Sequence, residues 1–251
     1  MPANIEDIPE TPYAYRWRLQ FIFEVISDRI REKGDNLRVL DVGCGTGEYV
    51  TIPLGSLGVN VLGIDVHCQS IQHAKENNPY SNVEFKCVSI DEIESSSFDI
   101  VICSEVLEHL EEPDMMLREL KRVLKSDGLC IITIPNGYGP KEIEGRIYKV
   151  LKGFFDVLYS LRSGKKRSEH VKDSFNTSPH IQFFTYKTFK DLVERCGFCI
   201  VKSENRRFLG GPLSSIFLYR SNRLIEWNVR VAKRIPHFLA SGWMFVLRPI
   251  K

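Results

Sequence analysis

The residues of this 251-residue chain that could do chemistry sit just beyond apolar runs. Ser104, Glu105, Glu108 and His109 lie in S-E-V-L-E-H-L, directly after the run Phe98–Cys103, and His180 opens H-I-Q-F-F-T much further on. An imidazole titrates close to neutrality, so His109 or His180 can take a proton from a hydroxyl as its oxygen attacks an electrophile. Either histidine can equally be a packed, hydrogen-bonded loop residue, because residue type alone fixes no geometry. Glu105, Glu108 and His109 would also suit a hard divalent cation such as Mg²⁺. The base reading is preferred, and no resident metal is assigned.

A strand, a loop and a helix near the N-terminus would give these groups something to act on. Val39–Tyr49 reads V-L-D-V-G-C-G-T-G-E-Y, passing from a buried-strand composition to a glycine-rich turn. Leu37–Val42 supplies the strand, and Gly43, Gly45 and Gly47 permit turns that a Cβ would obstruct. A helix is expected from about Glu48, its free N–H groups facing the polar or anionic part of a cofactor. A dinucleotide fingerprint would need its third glycine at Glu48, so this loop is G-x-G-x-G instead. Val59–Val66 is a second strand ending in Asp65, placed to accept hydrogen bonds from a ribose diol.

At these residues the chain resembles the class I S-adenosylmethionine (SAM) dependent methyltransferases, whose first motif is D-x-G-C-G-x-G and whose second strand ends in an acid. The resemblance continues through E-V-L-E-H, which is similar to ubiquinone-biosynthesis-type and sugar methyltransferases. Arg122–Gly128 follows the pattern R-V-L-K-x-x-G, and His180–Thr185 follows H-x-x-x-F-T. The N/D-P-P-Y/F signature typical of enzymes methylating exocyclic or amide nitrogens is absent. The resemblance implies an α/β, Rossmann-like seven-stranded sheet flanked by helices, with a reversed C-terminal β-hairpin. It implies SAM as cofactor, bound by Asp41, Gly43, Cys44, Gly45, Gly47, Asp65, Val66 and Ser104. Ser89 stands where an adenine-binding Asp is usual, leaving Ile90 and Asp91 as stand-ins. It also places His109 and His180 near the methyl acceptor.

The remaining elements alternate as this fold requires. Met1–Pro12, with three prolines, reads as an extended arm. A helix over Tyr13–Lys33 follows, with Tyr13, Tyr15 and Arg16 able to reach cofactor or substrate if it covers the site. Helices are expected at Cys68–Asn77, from Pro113 to the stop at Asp127-Gly128, and at Tyr186–Cys196. Strands are expected at Val83–Val88, Leu129–Pro135 and Phe198–Ser203, the last pairing antiparallel with Trp243–Leu247. The whole of 1–251 reads as one domain with two insertions. The first, 136–180, is lid-like, with an amphipathic helix over Tyr148, Val150, Leu151, Phe155, Leu158 and Tyr159 and a solvated run Lys165–Arg167. The second, 206–242, is basic and amphipathic.

Net charge is +2, yet from Arg206 to Lys251 nine basic residues face the single acid Glu226. That asymmetry points to an anionic or lipid-linked small acceptor, and leaves peripheral contact with a membrane surface open. No run is long and apolar enough to span a bilayer. The seven cysteines, odd in number and mostly in apolar runs, predict free thiols in a reducing, cytoplasmic compartment. Cys196-Gly197-Phe198-Cys199 lacks a partner pair and reads as a helix stop. O-methylation of a glycan, a nucleotide-linked sugar, or a quinone or lipid precursor is the preferred activity. An RNA methyltransferase, a non-catalytic SAM binder and an NAD-dependent dehydrogenase are the rivals, and no RNA-binding module supports the first.

Overall fold

The structure is a computed structural model describing residues 14–163, 180–211, 213–214, 218 and 221–250, with the backbone alone over 154–163. The N-terminal arm, Tyr13, the side chains of Phe155, Leu158 and Tyr159, and the run Lys165–Arg167 lie outside the described residues. Seven strands form one sheet: β1 (Arg38–Val42), β2 (Asn60–Asp65), β3 (Val83–Cys87), β4 (Phe98–Ser104), β5 (Leu124–Pro135), β6 (Phe198–Arg207) and β7 (Gly242–Pro249). Their order is β3-β2-β1-β4-β5-β7-β6. All pairs from β3 to β5 are parallel, and β7 runs antiparallel between β5 and β6. This is the Rossmann-like sheet with a reversed terminal hairpin that the sequence implies.

The sheet is buried on both faces, which is why its strands read as nearly continuous apolar runs. Along β4, Val101 and Cys103 enter one core with Leu117, Leu120 and Phe189, while Ile100 and Ile102 enter the other with Phe21, Ile22 and Ile71. Helices α1 (Tyr15–Lys33), α2 (Thr51–Leu54) and α3 (Cys68–Asn77) cover the second face, and α4 (Pro113–Val123) and α6 (Tyr186–Arg195) the first. Helices α5 (Pro140–Ser163) and α7 (Asn222–Ala232) fall in the stretches 136–180 and 206–242. They connect through Glu144 of α5, whose Oε2 accepts the Ser214 N–H at 2.8 Å.

Three expectations need correction. No helix begins at Glu48: α2 starts at Thr51 and gives way to a 3-10 turn at Gly55. Pro53 has no N–H to donate and its ring blocks the preceding turn, so it fits only within the first turn of a helix. The helix opened by Pro113 stops at Val123, because the N–H groups of Ser96 and Ser97 take the carbonyls of Arg122 and Val123 at 2.8 and 2.9 Å. Asp127-Gly128 therefore lies within β5. Finally, the cysteines are not all free thiols: Cys68 and Cys87 are disulfide-bonded. The parallel register sets Asp65 of β2 opposite Cys87 of β3, and α3 begins at Cys68 a few residues after Asp65. The helix stop at Gly197 stands, with φ of 78°.

Candidate active site

From β1 the chain moves outward to β2 and β3, then crosses to the other side of β1 to form β4. The carboxyl ends of β1 and β4 therefore flank the point where strand order reverses, which is where open α/β sheets bind ligands. The loop 43–47 leaves β1 there, and Ser104 and Glu105 leave β4.

The loop is held tightly. Gly43 and Gly47 have φ of 72° and 73°, and a Cβ would stand 2.5 Å from Val106 at the first and 2.6 Å from the Phe85 ring at the second. Nothing lies within 4 Å of a Cβ built at Gly45, so the loop is open on that side to a ligand. Four of its five N–H groups, however, are already paired and not free for an anion as expected. Gly43 and Cys44 both donate to the Ile64 carbonyl, Gly47 to Cys44, and Gly45 to Asp65 Oδ2 at 2.9 Å. Asp65 Oδ1 takes the His67 N–H at 2.8 Å. A carboxylate offers about four acceptor positions, so Asp65 is oriented by these two bonds and retains capacity for a diol. The half-exposed Cys44 Sγ faces the Gly45 carbonyl, and burial raises its pKa, so it is a wall rather than a nucleophile.

Asp41 does not face solvent. It is 2 % exposed, and Oδ2 accepts the Thr51 hydroxyl at 2.6 Å. Burial pushes its carboxyl up to about 7 against the pull of Thr51 and Arg18. Val66 is 75 % exposed beside Asp65, an apolar surface of the kind an adenosine would cover. Ser89 caps the turn Ile90–Glu92 in a capping box. The Ile90 side chain is buried and its carbonyl is occupied by Arg122 Nη2 at 2.9 Å, whereas Asp91 is exposed, with Ser89 holding its carboxyl below the usual range. Of the two stand-ins, only Asp91 has a polar side chain accessible to a ligand.

The opposite wall is denser than the sequence indicates. Ser104 Oγ meets Thr133 Oγ1 at 2.9 Å, and Thr133 donates in turn to Glu105 Oε1 at 2.9 Å. Glu105 has φ of 58° and pairs with Arg206 Nη1 at 2.6 Å. Burial would raise its carboxyl, but Arg206 and Arg18 outweigh that and hold it at about 2. Glu105 is thus committed to an ion pair and is not placed with Glu108 and His109 as a metal ligand. Glu108, 1 % exposed, is pushed up to about 8 by burial and by Glu105.

The two candidate bases come together. Glu108 offers its carbonyl to the N–H groups of Ile181 and Gln182 at 2.8 and 3.0 Å, which fastens the His180 segment to the turn carrying His109. The two rings lie 5.1 Å apart in an edge-to-face arrangement. His180 Nδ1 is 3.8 Å from Glu142 at the start of α5. Burial and Lys141 keep its pKa below the usual value despite Glu142, so it is neutral and able to accept a proton at pH 7. Glu108, His109 and His180 each also offer one atom within 4.8 Å of the others, a spacing that would hold a cation.

Sequence reasoning missed Arg18, Lys141, Arg206 and the buried state of Glu108. The charge asymmetry pointed to the C-terminal region, but not to which of its cations turn inward. The N-terminal helix does cover the loop: Tyr15 donates to the Glu48 carbonyl at 3.3 Å and packs edge-on against Tyr49. Arg16 instead pairs with Glu226 of α7.

A family model described as a methyltransferase domain matches residues 33–185. An uncharacterized protein of Methanocaldococcus jannaschii is 33% identical over 79% of this chain and 74% of its own length. The ubiquinone biosynthesis O-methyltransferase of Rickettsia akari is 36% identical over 47% of this chain, and the match spans about half of that enzyme, 48%. The mitochondrial enzyme of that name from Mus musculus is 39% identical over 40% of this chain and 29% of its length. Among solved structures, an S-adenosylmethionine-dependent methyltransferase from Mesorhizobium loti superimposes with a TM-score of 0.55 at 17% identity, covering 98% of this chain and all of that one. That likeness is one of fold.

Proposed function

Because the chain belongs to the class I SAM-dependent methyltransferases, we propose that it methylates a hydroxyl oxygen of a small acceptor, with the His109–His180 pair receiving the hydroxyl proton. The observation that carries this reading is the meeting of the two rings beside the cofactor crevice. When bound, SAM supplies an electrophilic methyl on a sulfonium. Asp65 would orient the ribose through its remaining lone pairs, Val66 would cover one face of the adenosine, and the open side of Gly45 would admit the methionine part. Arg18, half-buried and within reach of Asp41 and Glu105, would supply positive charge for the methionine carboxylate. Glu105, Thr133 and Ser104 form a hydrogen-bonded chain that fixes the crevice wall.

Displacement at a methyl carbon needs the attacking oxygen in line with the breaking bond, so positioning carries much of the rate. His180 presents the ring nitrogen not turned to Glu142, and takes the proton that the oxygen loses. Oxygen as the acceptor atom is supported by the names of the Rickettsia and mouse relatives and by the lack of the signature typical of enzymes methylating exocyclic or amide nitrogens. A glycan or nucleotide-linked sugar, or a quinone or lipid precursor, fits this chemistry.

The test is a panel of such hydroxylated acceptors with SAM, reading S-adenosylhomocysteine release. Turnover is expected on at least one acceptor. His109→Ala and His180→Ala are each expected to lower kcat by about 10²–10⁴ with S-adenosylhomocysteine affinity retained. Dialysis against a chelator is expected to leave turnover intact. Loss of activity that Mg²⁺ restores would transfer Glu108, His109 and His180 to a cation. Cofactor binding without turnover on any acceptor would favour a non-catalytic binder.

A further inference from the structure

The one disulfide among the described residues lies at the mouth of the proposed cofactor crevice rather than in the core. Cys68 and Cys87, 19 residues apart, join the first residue of α3 to the last of β3. Cys87 is the register partner of Asp65, the proposed ribose acceptor, and its Sγ lies 3.7 Å from the Val66 carbonyl oxygen. Just beyond Cys87, Ser89 opens the capped turn Ile90–Glu92 that carries Asp91. The bridge thus ties together the two strand ends between which an adenosine would lie. Cys68 is exposed and Cys87 half-buried, so the bridge is open to a small thiol from the Cys68 side.

The link from β2 to α3 has little packing of its own. Val66, His67, Cys68 and Gln69 are all exposed, and the hydrogen bonds that shape them are local: the His67 N–H to Asp65 Oδ1 at 2.8 Å, and the His67 ring to Ser70 in the first turn of α3. Segments with few buried contacts open while the rest of a fold stays intact. Further along α3, Ile71 and Ala74 are buried in the core, and β2 and β3 pair in continuous register from Val61 and Val83 to Asp65 and Cys87. Opening the bridge therefore frees the link and the end of β3 without releasing the helix or the sheet. Asp65 and Val66 would orient the ribose and cover the adenosine, so any freedom gained beside them must be lost again when the cofactor binds. Affinity falls by that ordering cost.

We propose that the Cys68–Cys87 bridge is a redox switch on cofactor binding. Closed, it fixes the spacing of the two adenosine-facing turns and S-adenosyl compounds bind tightly; opened by thiols, it lets the link loosen and they bind weakly. This rests on the methyltransferase reading and adds regulation to the same site. Opening is a two-electron reduction of the bridge by two small thiols. The thiolate of the first attacks Cys68 Sγ, the protein S–S bond breaks, and Cys87 leaves as a thiolate that takes up a proton. The thiolate of the second attacks the small-molecule sulfur of the mixed disulfide and displaces Cys68. The products are two protein thiols, which hold the protons the small thiols gave up, and one small-molecule disulfide. The reverse sequence, driven by a small-molecule disulfide, closes the bridge. Cys68 stands in the first turn of the 10-residue helix α3, whose N-terminal field favours its thiolate and keeps the pair exchangeable in both directions.

The experiment equilibrates the full chain with glutathione disulfide or with dithiothreitol, verifies the Cys68–Cys87 bridge by peptide mass, and titrates each form with S-adenosylhomocysteine by calorimetry. The bridged chain is expected to bind about fivefold to tenfold more tightly than the reduced one. Amide hydrogen exchange at Val66–Gln69 is expected to speed up on reduction while β1 and β4 keep their protection. Cys68→Ser/Cys87→Ser is expected to show the reduced chain's affinity after either treatment, which separates the bridge from the thiols of Cys44, Cys103, Cys130, Cys196 and Cys199. The comparison of the two wild-type forms stands by itself if that variant fails to fold. Absence of the bridge after glutathione disulfide, equal affinity of the two forms, or a redox response that survives in the double variant overturns the proposal. Protection lost in β1 and β4 as well would make the effect one of global unfolding and overturns it too. A bridged chain that does not bind S-adenosylhomocysteine at all would instead overturn the methyltransferase reading, and the switch with it.

Discussion

At the scale of single residues, Asp65 and Asp41 are both carboxylates of the proposed cofactor crevice, with opposite environments. Asp65 accepts two backbone N–H groups at the crevice edge, and its removal takes away a charged acceptor together with the bond that orients Gly45. Asp65→Ala is expected to weaken S-adenosylhomocysteine by about 1.5–3 kcal/mol in calorimetry, and an unchanged affinity would remove Asp65 from the cofactor site. Asp41 is buried with its carboxyl at about 7, above the ordinary 3.8. A carboxyl raised on folding contributes stability that is fully present below its unfolded value and is lost as pH rises through about 7. The gap is worth roughly 4 kcal/mol. Asp41→Asn keeps an acceptor for Thr51 and abolishes the titration. The difference in urea midpoint between variant and wild type should therefore move in the variant's favour from pH 4 to pH 8, and a constant difference would mean that Asp41 ionises freely. Asp65 and His109 were legible in the sequence because each lies just beyond an apolar run and a strand's end is where such residues act, and His180 because it opens the H-x-x-x-F-T pattern. Glu105 with Arg206, and Lys141, were not. Their pairing depends on the reversed hairpin bringing β6 and the start of α5 over β4, and nothing local in either stretch signals it.

At the scale of elements, the close approaches of the glycine loop set how the crevice closes. A Cβ at Gly43 would meet Val106 at 2.5 Å, and φ of 72° disfavours any side chain there. Val106 immediately precedes the turn Leu107–His109 that carries a candidate base, so the two walls are in contact at this point. Gly43→Ala is expected to cost about 2–3 kcal/mol in thermal or urea unfolding, from overpacking and backbone strain together. Adding Val106→Ala should recover the overpacking share and leave the strain. If the double variant is no more stable than Gly43→Ala, the loop and the turn do not touch. The strands were legible because a sheet covered on both faces demands apolar runs whichever way each side chain points. Helix ends were less so: α2 is set by Pro53, a local signal passed over, while α4 ends where Ser96 and Ser97 reach its carbonyls, a contact the sequence does not announce. The disulfide Cys68–Cys87 was hidden for a related reason, since only the register of β2 with β3 makes the two cysteines neighbours.

At the scale of the whole molecule, the basic C-terminal part separates into two populations that composition alone merges. Arg206 and Arg207 are buried, Arg206 in an ion pair with Glu105, whereas Arg223, Arg230, Lys233, Arg234 and Arg248 are exposed. Lys233 is stacked over the Trp17 ring at 3.4 Å, and Arg248 lies on β7, apart from the α7 cations. A backbone-tracking nucleic-acid site needs a continuous cationic groove with aromatic platforms along it. Here the inward cations are withdrawn from the surface and the outward ones are distributed over different elements. Titrating the full chain with a single-stranded RNA oligonucleotide at physiological salt should therefore give no more than the non-specific range of about 10⁻⁴–10⁻⁶ M. The affinity should also be indifferent to Arg206→Gln/Glu105→Gln, because Arg206 is buried and spent on its pair with Glu105 rather than presented to a phosphate backbone. Tight binding with a steep dependence on salt, weakened by that same double variant, would place RNA in the crevice and make a nucleotide the acceptor.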